Sequence, residues 1–403
     1  MAEPRTMVTL EEARTVVDAA LAGPTVEAET LPVRAARGRI LAEDQASRLE
    51  LPPFDKSAMD GYALLAGDER SEYRLLETVA AGQTPTATLQ PGTTVKVMTG
   101  APVPAGTGRV IMREFTEETN GVVRVLSRGD RDNICKQGED VRVGDVVLPA
   151  GRRIDAIDAA NLIACGITHV PVASPPAAAV LVTGNEIVDD PAELTAGRIM
   201  NSNGPMLSGL AAAGGLAVGL ERIVPDDPER TAAVLREAID AAEIVVLTGG
   251  VSVGDFDYVV GAMVDVGLRV HFTSVAIKPG RPTVFATAGR TAVFGLPGNP
   301  VSVCLMFHLF VLRGAAVLRG LDPAARELRL PLASGFRRDK AKRMGFIPAR
   351  LSDGGALEPL EYHGSAHLSA LTRADGFFAV PVGVTEVAAG QLVTFVPMLK
   401  GLR

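Results

Sequence analysis

The sequence predicts a multi-domain protein of the α/β plus β class, in which a doubly wound α/β domain is combined with β-rich modules. Its 403 residues, 47% of them apolar, suffice for about two to four domains with separate cores. Between residues 177 and 321, strand-like apolar runs alternate with helical patterns about every 25–35 residues, which is typical of a parallel sheet covered by helices. Outside this region the runs are short and end in turn signals, as in small β modules.

The first part of the chain contains a predicted helix and a predicted β module. Thr9 and Glu12 form a capping-box pattern at the start of a helix over residues 9–22. Residues 73–139 show short β-type runs, and a proline-rich loop with Asp60 precedes them. Thr99 follows a strand-like run and could donate a hydrogen bond to an oxyanion. Asp60 and Thr99 are equally consistent with residues that only form turns.

Residues 140–179 are predicted to form a strand, a helix, a second strand and then a linker. The strands are expected at 146–148 and 170–172, with the helix at 154–165 between them. The charge-poor segment ASPPAAA, residues 173–179, indicates a hinge or linker before the α/β domain.

The α/β domain is predicted from four strand-like runs with helices between them. Asp227 and Pro228 fit the N-cap and first position of one helix. Residues 301–318 are apolar but interrupted by His308 and Arg313, which favours a core helix over a membrane span. Residues 327–403 predict a small β-barrel or sandwich. The strands are expected at residues 180–188, 216–224, 244–247 and 269–277.

The stretch IVVLTGGVSVGDFD, residues 244–257, has the strongest functional pattern of the domain. A buried strand is followed by Gly249 and Gly250, and such glycines let backbone N–H groups approach a phosphate. Asp255 and Asp257 lie beyond them, so the stretch predicts a phosphate-bearing ligand, a metal, or both. An ordinary strand–turn–helix corner would show the same pattern. Because Glu186 also follows a strand end, we expect the three carboxylates to converge.

Two further loops of the α/β domain could bind anions. Lys278 and Arg281 flank a Pro-Gly turn and suit a phosphate or an oxyanion, although a solvated basic turn has the same sequence. Asn299 and Pro300 follow as the expected N-cap and first residue of a helix, whose N-terminus offers a second anion site.

Composition disfavours several classes of protein. A net charge of −7 and the lack of Trp argue against a nucleic-acid binder. The N-terminus is polar and does not resemble a signal peptide. Three scattered cysteines read as reduced thiols of a cytosolic protein, and His363 with His367 does not suggest a metal pair.

Seven motifs occur along the chain in the order PPFDKSAMDGYA, MTGAPVPAG, LVTGNEIV, LTGGVSVGDFDYV, IKPGRP, GLPGNPVS and GSAHLSALTRADGFF. Their order and spacing resemble the MoeA family of molybdopterin molybdenumtransferases, to which the E domain of gephyrin belongs in animals. The resemblance covers nearly the whole chain. Arg281 stands where the family often has Lys, which keeps the charge and changes its geometry.

The resemblance implies a fold, a reaction and a set of partners. The reaction is insertion of molybdate into adenylylated molybdopterin with release of AMP, and it uses Mg²⁺. The protein would be a cytoplasmic, elongated homodimer, and other proteins of molybdenum cofactor biosynthesis are further candidate partners. Each subunit would have four domains: 1–51 with 140–173, a β-rich lobe at 52–139, a MogA-like molybdopterin-binding domain at 177–321, and a C-terminal β-barrel at 327–403.

The resemblance also implies roles for individual residues. Glu186, Asp255 and Asp257 would hold Mg²⁺ or its waters. We expect each active site to be shared between two subunits, with Asp60 and Thr99 on a different module from Lys278. The expected catalytic residues are Asp60, Thr99, Glu186, Asp257, Lys278 and Arg281, and the pterin and phosphate path is expected along Gly249, Gly250, Ser252, Gly254, Pro297, Gly298, Asn299 and Pro300.

Two rival functions fit the same motifs. One is a non-catalytic molybdopterin-binding scaffold of the gephyrin type, and the other is a paralogue that inserts tungstate. The intact set of acidic and basic residues favours an enzyme over a scaffold. Tungstate and molybdate are too similar in size and charge for the sequence to separate them.

Overall fold

The computed structural model of the chain describes residues 6–23, 27–250, 258–323, 327–361 and 364–399. The chain divides into two compact units. One, here called the β unit, is Ala28–Val172, and the other, called the main unit, combines Met1–Glu27 with Ala173–Arg403. The predicted class, α/β plus β with several modules, is confirmed by the sheets and helices of the described residues.

The β unit is built on a mixed sheet and a smaller second core. The elements are β1 Ala28–Pro32, β2 Gln45–Ala46, β3 Lys56–Ser57, β4 Gly61–Leu65, β5 Glu72–Val79, β6 Thr93–Val97, β7 Thr107–Met112, β8 Thr116–Thr119, β9 Val122–Val125, β10 Ile134–Cys135, β11 Val146–Leu148, α2 Ala156–Ala164 and β12 His169–Ala173, with helix α1 at Leu10–Leu21 before them in the main unit. In the sheet the strand order is β7-β4-β6-β5-β9-β8, and Val95, Val97 and Val110 are buried in its core. Val33, Leu148 and Leu162 belong to the second core, which includes part of helix α2.

The α/β part of the main unit contains a sheet with helices between its strands. Its elements are β13 Ala177–Thr183, β14 Ile187–Val188, β15 Ile199–Met200, α3 Asn203–Ala213, β16 Ala217–Val224, α4 Pro228–Ala241, β17 Ile244–Thr248, α5 Tyr258–Asp265, β18 Arg269–Phe272, β19 Ile277–Lys278, β20 Val284–Ala288, β21 Thr291–Leu296, α6 Pro300–Met306 and α7 Leu312–Leu318. The strand order in the sheet is β16-β13-β17-β21-β20-β18.

Alternate residues of the central strands enter different cores, so both faces of the sheet are covered. On β17, Ile244 and Val246 belong to one hydrophobic cluster, whereas Val245 and Leu247 belong to another. Strands buried on both faces read as continuous apolar runs, which is why this one could be located from the sequence.

The sheet is parallel in only one part, which corrects the prediction of a parallel sheet. Strands β16, β13, β17 and β21 are parallel neighbours, but β20 pairs antiparallel with both of its neighbours, β21 and β18. Only residues 289 and 290 separate β20 from β21. A connection this short makes a hairpin, because a parallel pair needs a crossover of a dozen or more residues.

The N-terminal helix α1 packs in the main unit. Its predicted capping box is confirmed, since Thr9 and Glu12 exchange hydrogen bonds. The buried face contains Ala13, Val17 and Leu21, and Asp18 forms an ion pair with Arg313 of α7. The four-domain division inferred from the family resemblance stays a prediction.

The apolar segment near residue 310 is a core helix, as predicted. Residues Pro300–Leu318 are long and apolar enough to span a membrane by composition, but 83% of the apolar window is buried inside the protein. Its middle turn, Phe307–Val311, is a π-helix between α6 and α7, a feature that the sequence pattern did not predict.

The predicted linker at residues 173–179 is partly wrong. Ala177 begins β13, and Ala178 and Ala179 are buried in the middle of the sheet. Alanines suit this position because the sheet is packed on both faces and leaves little room for side chains. The segment was interpreted as a linker because alanine-rich, uncharged sequences are also typical of linkers.

The C-terminal part of the main unit contains a second sheet. The elements are β22 Leu328–Pro331, β23 Phe336–Arg337, β24 Met344–Leu351, β25 Leu357–Pro359, α8 Leu368–Arg373, β26 Gly376–Val380, β27 Glu386–Val387 and β28 Leu392–Pro397. The strand order in the sheet is β19-β24-β26-β28-β22, with β25 beside β24. Strand β19 comes from the α/β part and pairs in parallel with β24.

Candidate functional site

A cavity of about 650 Å³ lies at the carboxyl ends of β13, β17 and β21 in the main unit. This is where ligands bind in open α/β sheets. The described residues of its wall include Gly249, Gly250 and the whole loop of residues 297–300. Other wall residues come from the end of β13 and the loop after it, from the segment at the start of α3 and from the loop after β16, among them Thr183, Gly184, Glu186, Asn201, Ser202, Asn203 and Asp226.

The glycine pair at the end of β17 adopts backbone conformations that other residues rarely take. Gly249 and Gly250 have φ of +96° and +61°. A Cβ atom on Gly249 would lie 2.5 Å from the backbone oxygen of Thr183. The sequence-based interpretation as a tight turn therefore agrees with the local geometry, and the contact of this turn with a ligand stays a prediction. Ser252, Gly254, Asp255 and Asp257 lie outside the described residues.

Side-chain hydrogen bonds hold the loop of residues 297–300 beside the end of β17. The hydroxyl of Thr248 donates to the carbonyl oxygen of Pro297 over 2.9 Å. Asn203 Nδ2 donates to the carbonyl oxygen of Gly298 over 2.7 Å. Asn203 was not predicted as a site residue, because nothing in the sequence connects it to a loop 95 positions away.

Asn299 precedes α6, as predicted, but its side chain does not cap the helix. Asn299 Nδ2 donates to the hydroxyl of Ser365 over 3.0 Å, and the Val301 N–H donates to the carbonyl oxygen of Ser365 over 3.0 Å. Ser365 was not among the predicted site residues. Ser365 belongs to the motif GSAHLSALTRADGFF, which the sequence analysis identified, but the position of this motif in the fold could not be predicted from the sequence.

Glu186 and Asp226 are the described carboxylates in the cavity wall. Glu186 is exposed. Asp226 accepts hydrogen bonds from the Tyr258 hydroxyl and the Asn185 N–H. Burial, and then the hydrogen bond to Asp226, raise the pKa of the Tyr258 phenol well above its ordinary value, so it stays a hydrogen-bond donor at neutral pH. Among the described residues, no group of three or more His, Cys, Asp or Glu side chains is arranged to hold a metal ion.

Lys278 and Arg281 are exposed residues of a firmly held turn. The Val275 N–H donates to the carbonyl oxygen of Arg281 over 2.9 Å, and the Thr283 hydroxyl donates to that of Gly280 over 2.8 Å. Within the described part of the cavity wall, neither Lys278 nor Arg281 appears, although the neighbouring Pro282 does.

The structure places a further cation beside Lys278. Arg343 precedes β24, which pairs with β19, and its guanidinium donates to the carbonyl oxygen of Ile277 over 3.3 Å. The sequence analysis did not single out Arg343, since its proximity to Lys278 depends on the pairing of two strands 66 residues apart.

Asp60 and Thr99 lie together in the β unit. Gly61 of β4 pairs with Val97 of β6, so the residues at these strand ends become neighbours. One carboxylate oxygen of Asp60 accepts from the Thr99 N–H over 2.7 Å and from the Thr99 hydroxyl over 2.8 Å. These bonds, the backbone bond first, hold the pKa of the Asp60 carboxyl below its ordinary value. The carboxylate is therefore ionised at neutral pH.

Comparison with known proteins decides the family. Successive parts of the chain match three family descriptions: "MoeA N-terminal region (domain I and II)" at residues 8–166, "Probable molybdopterin binding domain" at 179–317, and "MoeA C-terminal region (domain IV)" at 329–398. A curated molybdopterin molybdenumtransferase of Staphylococcus epidermidis (strain ATCC 35984) is 33% identical over 367 residues, covering 88% of each chain. The chain belongs to the MoeA family.

Other MoeA proteins show the same agreement along the whole chain. A molybdopterin molybdenumtransferase of Staphylococcus aureus (strain MRSA252) is 34% identical over 92% of this chain and 91% of its own. The crystal structure of a molybdopterin biosynthesis moeA protein from Pyrococcus horikoshii OT3 is 30% identical, with a TM-score of 0.85 over 97% of this chain and 100% of its own. The resemblance inferred from the seven motifs is confirmed.

The predicted site residues of this MoeA protein fall into separate groups. Glu186 lies in the wall of the cavity with Gly249, Gly250 and residues 297–300. Lys278 and Arg281 share a turn of the main unit, whereas Asp60 and Thr99 are paired in the β unit. The roles assigned to all these residues stay predictions.

Proposed function

We propose that this protein is a molybdopterin molybdenumtransferase, which inserts molybdate into adenylylated molybdopterin and releases AMP. The observation that carries the proposal is the cavity at the ends of β13, β17 and β21, with its glycine pair and the loop of residues 297–300. Relatives that carry this name align with the chain over about nine-tenths of its length.

The reaction places two chemical requirements on the protein. A phosphoanhydride is cleaved, so negative charge on phosphate must be stabilised, and molybdate must be held while its oxygens are displaced. The Gly249 N–H donates to the carbonyl oxygen of Leu296 over 3.2 Å, so the turn would present the Gly250 N–H to a phosphate oxygen. Lys278 and Arg281, both exposed in a firmly held turn, would bind a phosphate or the molybdate dianion through charge-assisted hydrogen bonds.

A divalent cation such as Mg²⁺ fits the kind of ligand present at this site. Glu186 in the cavity wall offers carboxylate oxygen, the ligand type that Mg²⁺ prefers, and Asp255 with Asp257 would complete the set. When bound, the cation would supply positive charge beside the phosphate oxygens. We expect AMP release to stop when EDTA removes divalent cations and to return when Mg²⁺ is added back.

The remaining parts of the proposal concern assembly and location. The protein would act as a cytoplasmic homodimer, with each active site drawing residues from both subunits, and it would exchange its substrate and product with other molybdenum cofactor enzymes. A scaffold of the gephyrin type is not favoured, because the curated relatives that align with nearly the whole chain are named molybdopterin molybdenumtransferases.

The proposal is tested by measuring AMP release. Purified protein is incubated with adenylylated molybdopterin and Mg²⁺, with molybdate, with tungstate, or without an oxyanion. We expect AMP to appear with molybdate well above the rate without an oxyanion. Equal rates in all three reactions would contradict the proposal, and a response to tungstate alone would identify the tungstate-inserting alternative.

A further inference from the structure

Asn203, the first residue of α3, connects three separate segments of the cavity wall. It is buried, with 8% of its surface exposed. Its Nδ2 lies 2.7 Å from the carbonyl oxygen of Gly298 and 3.3 Å from the hydroxyl oxygen of Thr248. The start of α3, the end of β17 and the loop of residues 297–300 are therefore linked through one amide group.

The hydrogen-bond partners decide which way this amide points. The carbonyl oxygen of Gly298 can only accept, so the atom beside it must be the nitrogen of Asn203. The Thr248 hydroxyl gives its proton to the carbonyl oxygen of Pro297, 2.9 Å away, and is then free to accept from the same nitrogen. Both protons of Nδ2 are used, and reversing the amide would place two acceptors in contact.

The amide oxygen of Asn203 has no such partner. Oδ1 is buried and accepts no hydrogen bond in the part of the chain that the structure describes. Burying an unsatisfied oxygen is unfavourable, and an apolar residue at this position would avoid that penalty. A contribution to folding stability alone therefore does not explain why this position carries an asparagine.

We infer that Asn203 is a positioning residue, whose Nδ2 fixes the loop of residues 297–300 against the end of β17 in the geometry that binds substrate. This inference rests on the proposed function, because it takes the cavity to be the substrate site. Without the amide, Thr248 still holds Pro297, but the carbonyl of Gly298 loses its donor. The loop would then sample several arrangements, and binding would become weaker.

The test uses the full-length variants Asn203→Ala and Asn203→Asp, with Gln45→Ala as the matched control. Gln45 is also a buried amide, 9% exposed, and it donates to the backbone carbonyls of Glu43 and Asp44 in the β unit. Three quantities are measured for each protein: the melting temperature, hydrogen exchange of the loop amides without any ligand, and the kinetics of AMP release with molybdate.

For Asn203→Ala we expect the amides of Gly298 and Asn299 to exchange about tenfold faster and kcat/KM to fall about ten- to hundredfold, chiefly through KM. The melting temperature should stay within about 2 °C of wild type, because the unsatisfied oxygen disappears with the lost bonds. Gln45→Ala should lower the melting temperature and leave kcat/KM and the loop exchange unchanged.

Asn203→Asp provides a readout that a purely structural role would not produce. An ionised carboxylate would face two acceptors, whereas a protonated one can donate to Gly298, and burial favours the protonated form. The ratio of variant to wild-type kcat/KM should therefore rise as the pH is lowered from about 8 to 6.

Two results would overturn the inference. One is unchanged loop exchange in Asn203→Ala. The other is a fall in kcat/KM matched by a fall in melting temperature like that of Gln45→Ala, with no pH-dependent recovery in Asn203→Asp. Should wild type release no AMP, the proposed function fails, and the ligand-free exchange measurement still decides whether Asn203 holds the loop.

Discussion

Thr248, the last residue of β17, shows how single side chains shape the cavity. It is 1% exposed, its hydroxyl holds the Pro297 carbonyl, and its own carbonyl oxygen accepts from Thr183 over 3.3 Å. Directly after it, the chain turns with positive φ at Gly249 and Gly250. The shape of the cavity thus depends on a buried hydroxyl and two residues without side chains.

We predict that Gly249→Ala destabilises the protein and lowers its activity. The positive φ and a new Cβ 2.5 Å from the Thr183 oxygen require the backbone to move, at a cost of about 1–3 kcal/mol. Gly209→Ala is the control, since Gly209 lies in α3 with nothing within 4 Å of an added Cβ. The control should gain about 0.5–1 kcal/mol in urea unfolding. Equal stability of the two variants would contradict this account of the turn.

We predict that Lys278→Ala and Arg281→Ala each reduce AMP release about ten- to hundredfold, because a charge-assisted contact contributes about 1.5–3 kcal/mol. The control is Arg236→Ala, an exposed cation on α4. Lys96 is a poorer control, since it pairs with Glu118 over 2.8 Å and lies over the Tyr62 ring. Small and similar losses in all three variants would show that the turn is only structural.

At the scale of elements, the hydrophobic runs predicted the positions of strands and helices better than they predicted the directions of the strands. The predicted strand at residues 244–247 lies within β17. Asp227 is the N-cap of α4 and Pro228 its first residue, as predicted. The antiparallel pairing of β20 with β18 and β21 was not predicted, because apolarity reports burial and not strand direction. The π-helical turn Phe307–Val311 was missed because a π-helix and an α-helix bury similar residues.

The edge strand β18 supports a prediction about pH. Burial first, and then Arg269, lower the pKa of His271, whose ring stacks on Phe285 at 5.1 Å. Its Nε2 lies 2.9 Å from the Thr287 hydroxyl. Below the ordinary histidine pKa of about 6.5 the unfolded chain binds a proton that the folded chain does not, so stability falls as the pH drops through this value.

The measurement is the free energy of unfolding of wild type and His271→Gln between pH 5 and 8. Wild type should lose more stability than the variant on going from pH 7 to pH 5.5, since the glutamine does not titrate. Parallel curves over this range would show that His271 is solvated and titrates alike in both states.

At the scale of the whole molecule, the residues of the cavity wall that could be predicted from the sequence are those whose type indicates their backbone conformation. The glycine turn and the loop of residues 297–300 were predicted because Gly and Pro carry their backbone requirement in their identity. Asn203, Ser365 and Arg343 were missed because their relevance comes from partners 95, 66 and 66 residues away. Asp60 and Thr99 were named separately, and only strand pairing shows that they form one unit.

The proposal of a shared active site is tested by complementation. Asp60 belongs to the β unit and Lys278 to the main unit. Inactive Asp60→Ala and Lys278→Ala proteins are mixed, and subunit exchange is verified by mass. A mixed dimer with shared sites would carry both defects in one site and neither in the other. Activity should then return towards half of wild type per mixed dimer. If exchange occurs and no activity returns, both residues act within one subunit.

The central claim, molybdenum insertion coupled to AMP release, is tested most directly by measuring both products in one reaction. Molybdenum bound to the pterin and free AMP are quantified for wild type and Lys278→Ala. The account predicts about one molybdenum inserted per AMP released, with both amounts reduced together in the variant. AMP release without molybdenum insertion, or insertion that is unchanged in Lys278→Ala, would contradict it.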